Sequence, residues 1–383
     1  MPFYGVYSLL FADHGLSDAQ ISSLFIVWSL AGFVFEIPSG AWADTVDRRA
    51  LLVLSAALYA GTFVAWTALP SYLGFAAGFA LWGLSGALLS GTFEAWLYDE
   101  LATRSATPAY AQLLGWAHST AMPAMLAGTA LGAPLYAWGG YPLVGWTSVA
   151  VVAAHAGLAA TLPPGTRRPP PMTHRESPAR RYAAMLRDGI GQAARHVPVR
   201  RLIALYAVMF GLSAYDEYFP ILARDSGVAT TEVPLLVGLL MLGQSAGTAL
   251  AGRTAAMSGR AMAALLATSA VLVSAGALVL GPPGWAGWSG WSGLAGLAAI
   301  AVGYGAVHNA IIVAAARLQD LITSQARATV TSVAGLSTEM IVLAVYAAFA
   351  IGSAWLSIAT IIALLGLPML GVAAAARRRL PPI

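Results

Sequence analysis

Of the sixteen acidic residues and six histidines in the chain, few fall inside long apolar stretches. Chief among those few are Glu94, His118, Asp216, Glu217, His308 and Glu339, with Asn309 beside His308. A carboxylate surrounded by hydrocarbon is costly to keep charged, so it persists where it binds a proton, a cation or a polar partner. Taking up and releasing a proton near neutral pH is the chemistry that suits such a group. Glu339 lies twelve residues beyond Arg327, roughly 18 Å along a helix and so near the middle of a bilayer. Proton or cation binding and structural hydrogen bonding within a bundle are equally open to it. Asp216 and Glu217, in the outer third of their stretch, are the next proton candidates. Glu94 either faces a cavity or braces the inner end of its helix. His308 and Asn309 can contact a substrate or form a satisfied core pair, the second being commoner; His118 lies at a similar depth, roughly 14 Å by helical rise. No His, Asp or Glu cluster has metal-ligand spacing, no Gly-rich phosphate loop is present, and there is no Cys. No metal and no cofactor is therefore expected.

The elements that must position these groups follow from composition. The 383 residues are 58% hydrophobic and 9% charged, against about 25% charged in a soluble domain. That disfavours a soluble enzyme, a nucleic-acid binder and a disordered scaffold. The apolar residues form runs of about 20, the length that crosses a bilayer core. Spans are read at 1–13, 18–43, 50–69, 72–99, 110–137, 142–162, 199–223, 232–256, 261–281, 291–316, 328–351 and 354–376. The expected fold is an all-α integral membrane protein of twelve transmembrane helices, the first truncated. All 20 basic residues are Arg. If the loops alternate sides, nineteen arginines share one face and only Arg224 stands on the other, which puts both termini in the cytoplasm. With 40 Gly and 21 Pro, the Arg-only usage suggests GC-rich coding and a bacterial inner membrane.

Residues 163–198 separate an N-terminal six-helix half, 1–162, from a C-terminal half, 199–383. The run Pro163-Pro164-Gly165 through Pro171 reads as an extended linker. Tyr182, Met185, Leu186, Ile190, Ala193 and Val197 then recur at helical spacing against Arg181, Arg187 and Arg195. That pattern predicts an amphipathic helix on an anionic inner leaflet, a solvated linker helix being the alternative. Two such halves joined by a basic linker are the layout of a rocker-type secondary transporter.

Between spans two and three stands Gly40-Ala41-Trp42-Ala43-Asp44-Thr45-Val46-Asp47-Arg48-Arg49. Gly40, Asp44, Arg48 and Arg49 resemble the signature loop of the major facilitator superfamily, with Thr45 and Asp47 departing from its usual residues. Ser90 to Asp99 in span four and Arg327 to Ser332 at span eleven resemble its efflux-like branch. Gly128, Gly132 and Pro134 in span five partly resemble the antiporter motif. The resemblance implies two pseudo-symmetric halves and a cytoplasmic gate. In that gate Asp44 sits against a helix N-terminus and Arg48 or Arg49 pairs with Asp99 or Glu100. A solvated loop with positive-inside arginines is the plain alternative. The implied function is alternating-access transport, with proton-coupled export of small amphipathic or drug-like molecules ahead of symport uptake of a metabolite. A non-transporting receptor or assembly partner is the rival from another class. Expected partners are a small-molecule substrate, protons and the bilayer, with no nucleic acid, and the expected state is a monomer. Trp285, Trp288 and Trp291 read as an interfacial aromatic belt. The twelve residues before Asp13 reach only roughly 18 Å as a helix, so an incomplete first span, missing residues upstream of Met1, is expected.

Overall fold

The computed structural model describes residues 1–164, 196–281, 291–322 and 327–379, without the side chains of Ile37, Ala41, Asp44, Thr45, Arg327, Ala328, Thr329 and Arg379. Among the described residues the chain is helical, with no strand. It forms two compact units, Met1–Leu16 with Ser23–Tyr182, and Ser17–Ser22 with Ala183–Ile383. Nine helical runs are long and apolar enough to cross a membrane among the described residues. The protein is a multi-pass membrane protein.

Polar residues at the helix starts set where each span begins. Ser17 and Gln20 cap each other reciprocally, Ser17 N–H donating to Gln20 Oε1 (3.0 Å) and Gln20 N–H to Ser17 Oγ (3.3 Å). Asp47, Ser71, Ser258 and Ser357 each accept a main-chain N–H in the first turn that follows them.

In the first unit a 3₁₀ turn, Pro2–Gly5, leads into α1 (Tyr7–Asp13). After it come α2 (Asp18–Thr45), which belongs to this unit from Ser23 on, α3 (Arg48–Ala68), α4 (Tyr72–Leu89), α5 (Thr92–Thr103) and α6 (Tyr110–Thr161). The core of this unit is aromatic. Phe11 lies 4.4 Å from Phe75 and 5.2 Å from Trp66 between ring centroids, and Trp66 Nε1 donates to the Phe75 carbonyl at 3.1 Å. Buried rings in tilted and edge-on pairs combine large apolar area with a fixed geometry. The sequence reads span four as one helix, but it breaks at Ser90–Gly91, where Gly91 takes φ +68° and so restarts the chain as α5. Spans five and six run into one continuous stretch, α6, folded at Gly139 and at Gly140, whose φ is +60°. Only glycine takes such values at no steric cost.

The second unit begins with α7 (Val197–Leu212), a 3₁₀ turn Ser213–Tyr218 and α8 (Phe219–Asp225), so span seven is a helix with a tight central turn. It continues through α9 (Val233–Ala249), α10 (Ala251–Thr254), α11 (Gly259–Val279), α12 (Trp291–Leu321), α13 (Arg327–Gly352), α14 (Ile358–Leu364) and α15 (Gly366–Arg379). Helices α9 and α12 touch backbone to backbone. A Cβ on Gly243 would come within 2.3 Å of the Ala301 carbonyl oxygen, and one on Gly247 within 1.9 Å of that of Gly305. Small residues at such contacts are what let apolar helices pack where no water drives them together.

The proline-rich linker beyond Pro164, the predicted amphipathic helix, Trp285 and Trp288 lie outside the described residues. Trp291 opens α12 and is 87% exposed, as a belt residue would be.

Candidate functional site

At the arginine-bearing end of the first unit, Asp47 caps α3 and thereby places Arg48 and Arg49 on its first turn. Arg48 forms an ion pair with Asp99 on α5, and the same Nη1 donates to the Ala95 carbonyl at 3.2 Å. Glu100 is engaged on its own helix, accepting from Arg104 Nε at 2.8 Å. Of the two expected acids, Asp99 is therefore the one that faces the loop. Arg49 turns elsewhere: its Nη1 donates to the Leu162 carbonyl at 3.3 Å, where α6 ends. Beside it Trp96 Nε1 donates to the Pro163 carbonyl at 3.2 Å, from a cluster with Leu52, Leu97 and Leu101. Thus α3, α5 and the exit from α6 are tied by three side chains. Gly40 is exposed, and a Cβ there would meet nothing within 4 Å among the described residues, so no close helix approach is made at that position. The side chain of Asp44 lies outside the described residues.

Glu94 stands in the first turn of α5, where the helix N-terminus favours an acid. Glu36, not singled out by sequence reading, accepts from Ser90 Oγ at 3.4 Å, just before Gly91. Gly128 lies under the main chain of Met1, with a Cβ there only 2.7 Å from Met1 N. Gly132 is buried, Pro134 sits within α6, and His118 is exposed on the same helix.

The second unit gathers the remaining candidates. Asp216 and Glu217 occupy the 3₁₀ turn of span seven, Asp216 half-buried and Glu217 buried. Tyr304, on α12, donates its hydroxyl to Asp216 Oδ2 at 2.7 Å. One turn on, His308 Nδ1 donates to the Tyr304 carbonyl at 3.0 Å, with the two rings 4.3 Å apart. Tyr346, buried on α13, lies within electrostatic reach of Glu217, Asp216 and Glu339. Sequence reading missed Tyr304 and Tyr346; the signal available for Tyr304 was its i, i+4 spacing from His308. Asn309 points into the helix contact. Its Nδ2 donates to the Gly247 carbonyl at 3.0 Å, and its Oδ1 accepts from Thr254 Oγ1 at 2.9 Å. Among the described residues no group of three His, Cys, Asp or Glu is placed to hold a metal ion.

The sequence profile described as Major Facilitator Superfamily matches residues 2–347. Among solved structures, the chain is similar to the inward-facing crystal structure of a bacterial homologue of the iron transporter ferroportin. The TM-score there is 0.72 at 14% identity, over 99% of this chain and 95% of that one. It is also similar to a D-xylose-proton symporter (TM-score 0.71, 15% identity, 99% and 95% covered). A third likeness is to the nucleoside transporter NupG (TM-score 0.74, 10% identity, 98% and 93% covered). At such identities the likeness is one of fold. None of the curated proteins compared matches the sequence.

Proposed function

Since the chain belongs to the major facilitator superfamily, whose profile covers residues 2–347, we propose that it is a proton-coupled exporter of small amphipathic or drug-like molecules. In this reading residues 1–162 and 199–383 are two six-span halves that alternate access to a substrate between them. The observation that carries it is the presence of Asp216, which accepts from Tyr304, of Glu217 beside it and of Glu339 inside membrane-spanning segments. Carboxylates so placed serve a transporter by loading and unloading protons as the halves alternate. Asp216 holds a proton or accepts the Tyr304 hydroxyl; Glu217 and Glu339 supply further proton sites within reach of Tyr346. His308 orients Tyr304, and Asn309 serves the helix contact. The few polar residues that the sequence places in spans four, five, seven and ten suit an amphipathic substrate better than a sugar, whose binding needs several converging hydrogen-bonding groups. The arginine-bearing ends face the cytoplasm of a bacterial inner membrane, where Gly40, Asp44, Arg48, Arg49, Asp99 and Glu100 form the gate region.

A compound-panel uptake and resistance assay in cells lacking their own efflux pumps tests the function. Resistance to at least one amphipathic compound, abolished by collapsing the proton gradient, is the expected result. Gradient-driven accumulation instead of expulsion would make the protein a symporter. No transport of any compound, with the protein correctly inserted, would favour the receptor or assembly role.

A further inference from the structure

Gln244 stands eleven residues into α9, roughly 17 Å along the helix and so near the middle of a bilayer core. Helix α9 carries two stripes. Leu235, Leu239, Leu242 and Ala246 are exposed and form the face that meets lipid. Val237, Met241, Gln244 and Thr248 repeat that spacing two residues later, about 200° round the helix, and are buried or half-buried. Gly243 and Gly247 lie between the stripes, against Ala301 and Gly305 of α12. Gln244 is thus turned away from lipid. The hydroxyls beside it are satisfied: Ser245 Oγ donates to the Met241 carbonyl (2.8 Å) and Thr248 Oγ1 to that of Ser245 (2.9 Å). Gln244 makes no hydrogen bond among the described residues, and its amide nitrogen and oxygen are not sealed in by protein. An amide without partners inside a membrane is costly, and leucine or methionine at that position would carry no such cost.

What Gln244 faces follows from the turn before it. Leu240 and Ile300 line one small apolar cavity together with Phe219 and Leu222 of span seven. One helical turn further along, the same two positions are Gln244 on α9 and Tyr304 on α12, and Tyr304 keeps to the span seven side by donating to Asp216. The seam between α9 and α12 therefore changes from apolar to polar at this level. The pairing of Gly243 with Ala301 and of Gly247 with Gly305 sets Gln244 level with Val302. His308 lies six residues beyond that level, about 9 Å along the axis. Its Nδ1 donates to the Tyr304 carbonyl, so Nε2 is left as an acceptor, and it has no partner among the described residues.

We infer that Gln244 is a substrate-contacting residue of the second unit, whose carboxamide donates to and accepts from an uncharged hydroxyl or carboxamide of the transported molecule. The inference deepens the transporter reading and rests on it, but on neither proton coupling nor direction. An amide offers a donor and an acceptor and no charge, so it matches a neutral group that offers both. His308 Nε2 adds an acceptor for a second donor on the same molecule. A contact of this kind also selects, because an analogue without the donor leaves the amide unpaired in a dry place.

The chain has no Cys, so single-Cys variants of the full chain report directly. In lipid nanodiscs, Gln244→Cys should react with a permanently charged methanethiosulfonate about tenfold or more faster than Leu242→Cys on the lipid face, since the reagent stays in water. An equal or slower rate at 244 overturns the inference. Binding is then read on the purified chain as a rise in thermal midpoint. The probes are uncharged aryl alcohols and aryl carboxamides, each paired with its methyl ether or N,N-dimethyl amide. At least one alcohol or carboxamide should bind about tenfold tighter than its methylated partner, the scale of a hydrogen bond to a desolvated group. In Gln244→Met, which keeps the length and loses the amide, that ratio should fall to about one. An unchanged ratio overturns the inference, as does a set of probes none of which binds wild type. Without any compound, Gln244→Met should be at least as stable as wild type, because no bond within the protein is lost. A lower midpoint, or failure to fold, marks a structural role and overturns the inference as well. Probes that bind with this discrimination but are not moved in transport assays keep the Gln244 contact and remove the export reading.

Discussion

At the scale of single residues, a polar group inside a span either serves the packing or is kept for exchange, and its partners say which. Asn309 uses both ends of its amide on neighbouring helices, so it serves the packing. Asn309→Ala should strand the Gly247 carbonyl and lower the stability of the detergent-solubilised protein by about 1–3 kcal/mol, read as a fall in the thermal midpoint. An unchanged midpoint would show that the carbonyl finds another donor. Glu339 is the proposed site of exchange. Glu339→Gln should abolish proton-driven transport in reconstituted vesicles while leaving insertion and thermal midpoint unaltered. Undiminished pH-driven transport would pass the role to Asp216, which accepts from Tyr304, or to Glu217 beside it in the turn of span seven. The acidic candidates were legible in the sequence because charge in an apolar run is conspicuous. Their tyrosine partners were not, since an aromatic residue in a membrane helix is unremarkable until its hydroxyl is seen to reach a carboxylate.

At the scale of elements, apolar runs and caps located the spans, whereas the interruptions inside them depended on backbone detail. Ser71, Ser258 and Ser357 announce helix starts by residue type. The break at Gly91 and the tight turn Ser213–Tyr218 lie within stretches that the sequence reads as single spans, where only the realised φ values and hydrogen bonds reveal them. Glycine-mediated contact is likewise invisible in composition, because 40 glycines are spread through the chain. Two of them make a sharp comparison. A Cβ at Gly247 would collide with the Gly305 carbonyl at 1.9 Å, while a Cβ at Gly238 on the same helix would meet nothing within 4 Å. Gly247→Ala should therefore cost roughly 1–3 kcal/mol as α9 and α12 are forced apart. Gly238→Ala should be neutral or stabilising by up to about 1 kcal/mol through helix propensity. Equal thermal midpoints for the two variants would refute the close approach. The proposed gate pair belongs to this scale as well, since Arg48–Asp99 joins α3 to α5. Asp99→Asn and Asp44→Asn are each expected to bias the protein toward an inward-open state. The measurement is cytoplasmic labelling of single-Cys variants, and equal accessibility in wild type and both mutants would remove the gate role.

For the whole molecule, the clearest statement in the sequence is the distribution of charge. No lysine is present, and if the loops alternate sides, nineteen of the twenty arginines share one face and Arg224 stands alone on the other. Several of the nineteen have structural duties there: Arg48 pairs with Asp99, Arg49 holds the exit of α6, Arg104 pairs with Glu100, and Arg317 holds a loop. Arg253, Arg260, Arg377 and Arg378 are exposed. Because basic loops are retained on the cytoplasmic side during insertion, both termini are expected there, and the gate with them. A C-terminal fluorescent-protein fusion, which matures in the cytoplasm, should therefore be bright, and a C-terminal alkaline phosphatase fusion, active only in the periplasm, should be silent. Fusions truncated after Arg224 should reverse the pattern, since that residue marks the opposite face. Replacing Arg377, Arg378 and Arg379 together should leave the pattern intact, because the remaining arginines outnumber Arg224 by a wide margin. A phosphatase-active C-terminus on the intact chain would invert the assignment of sides. It would place the Arg48–Asp99 pair and Arg317 at the outer face and turn the proposed exporter into a protein that closes its gate from outside.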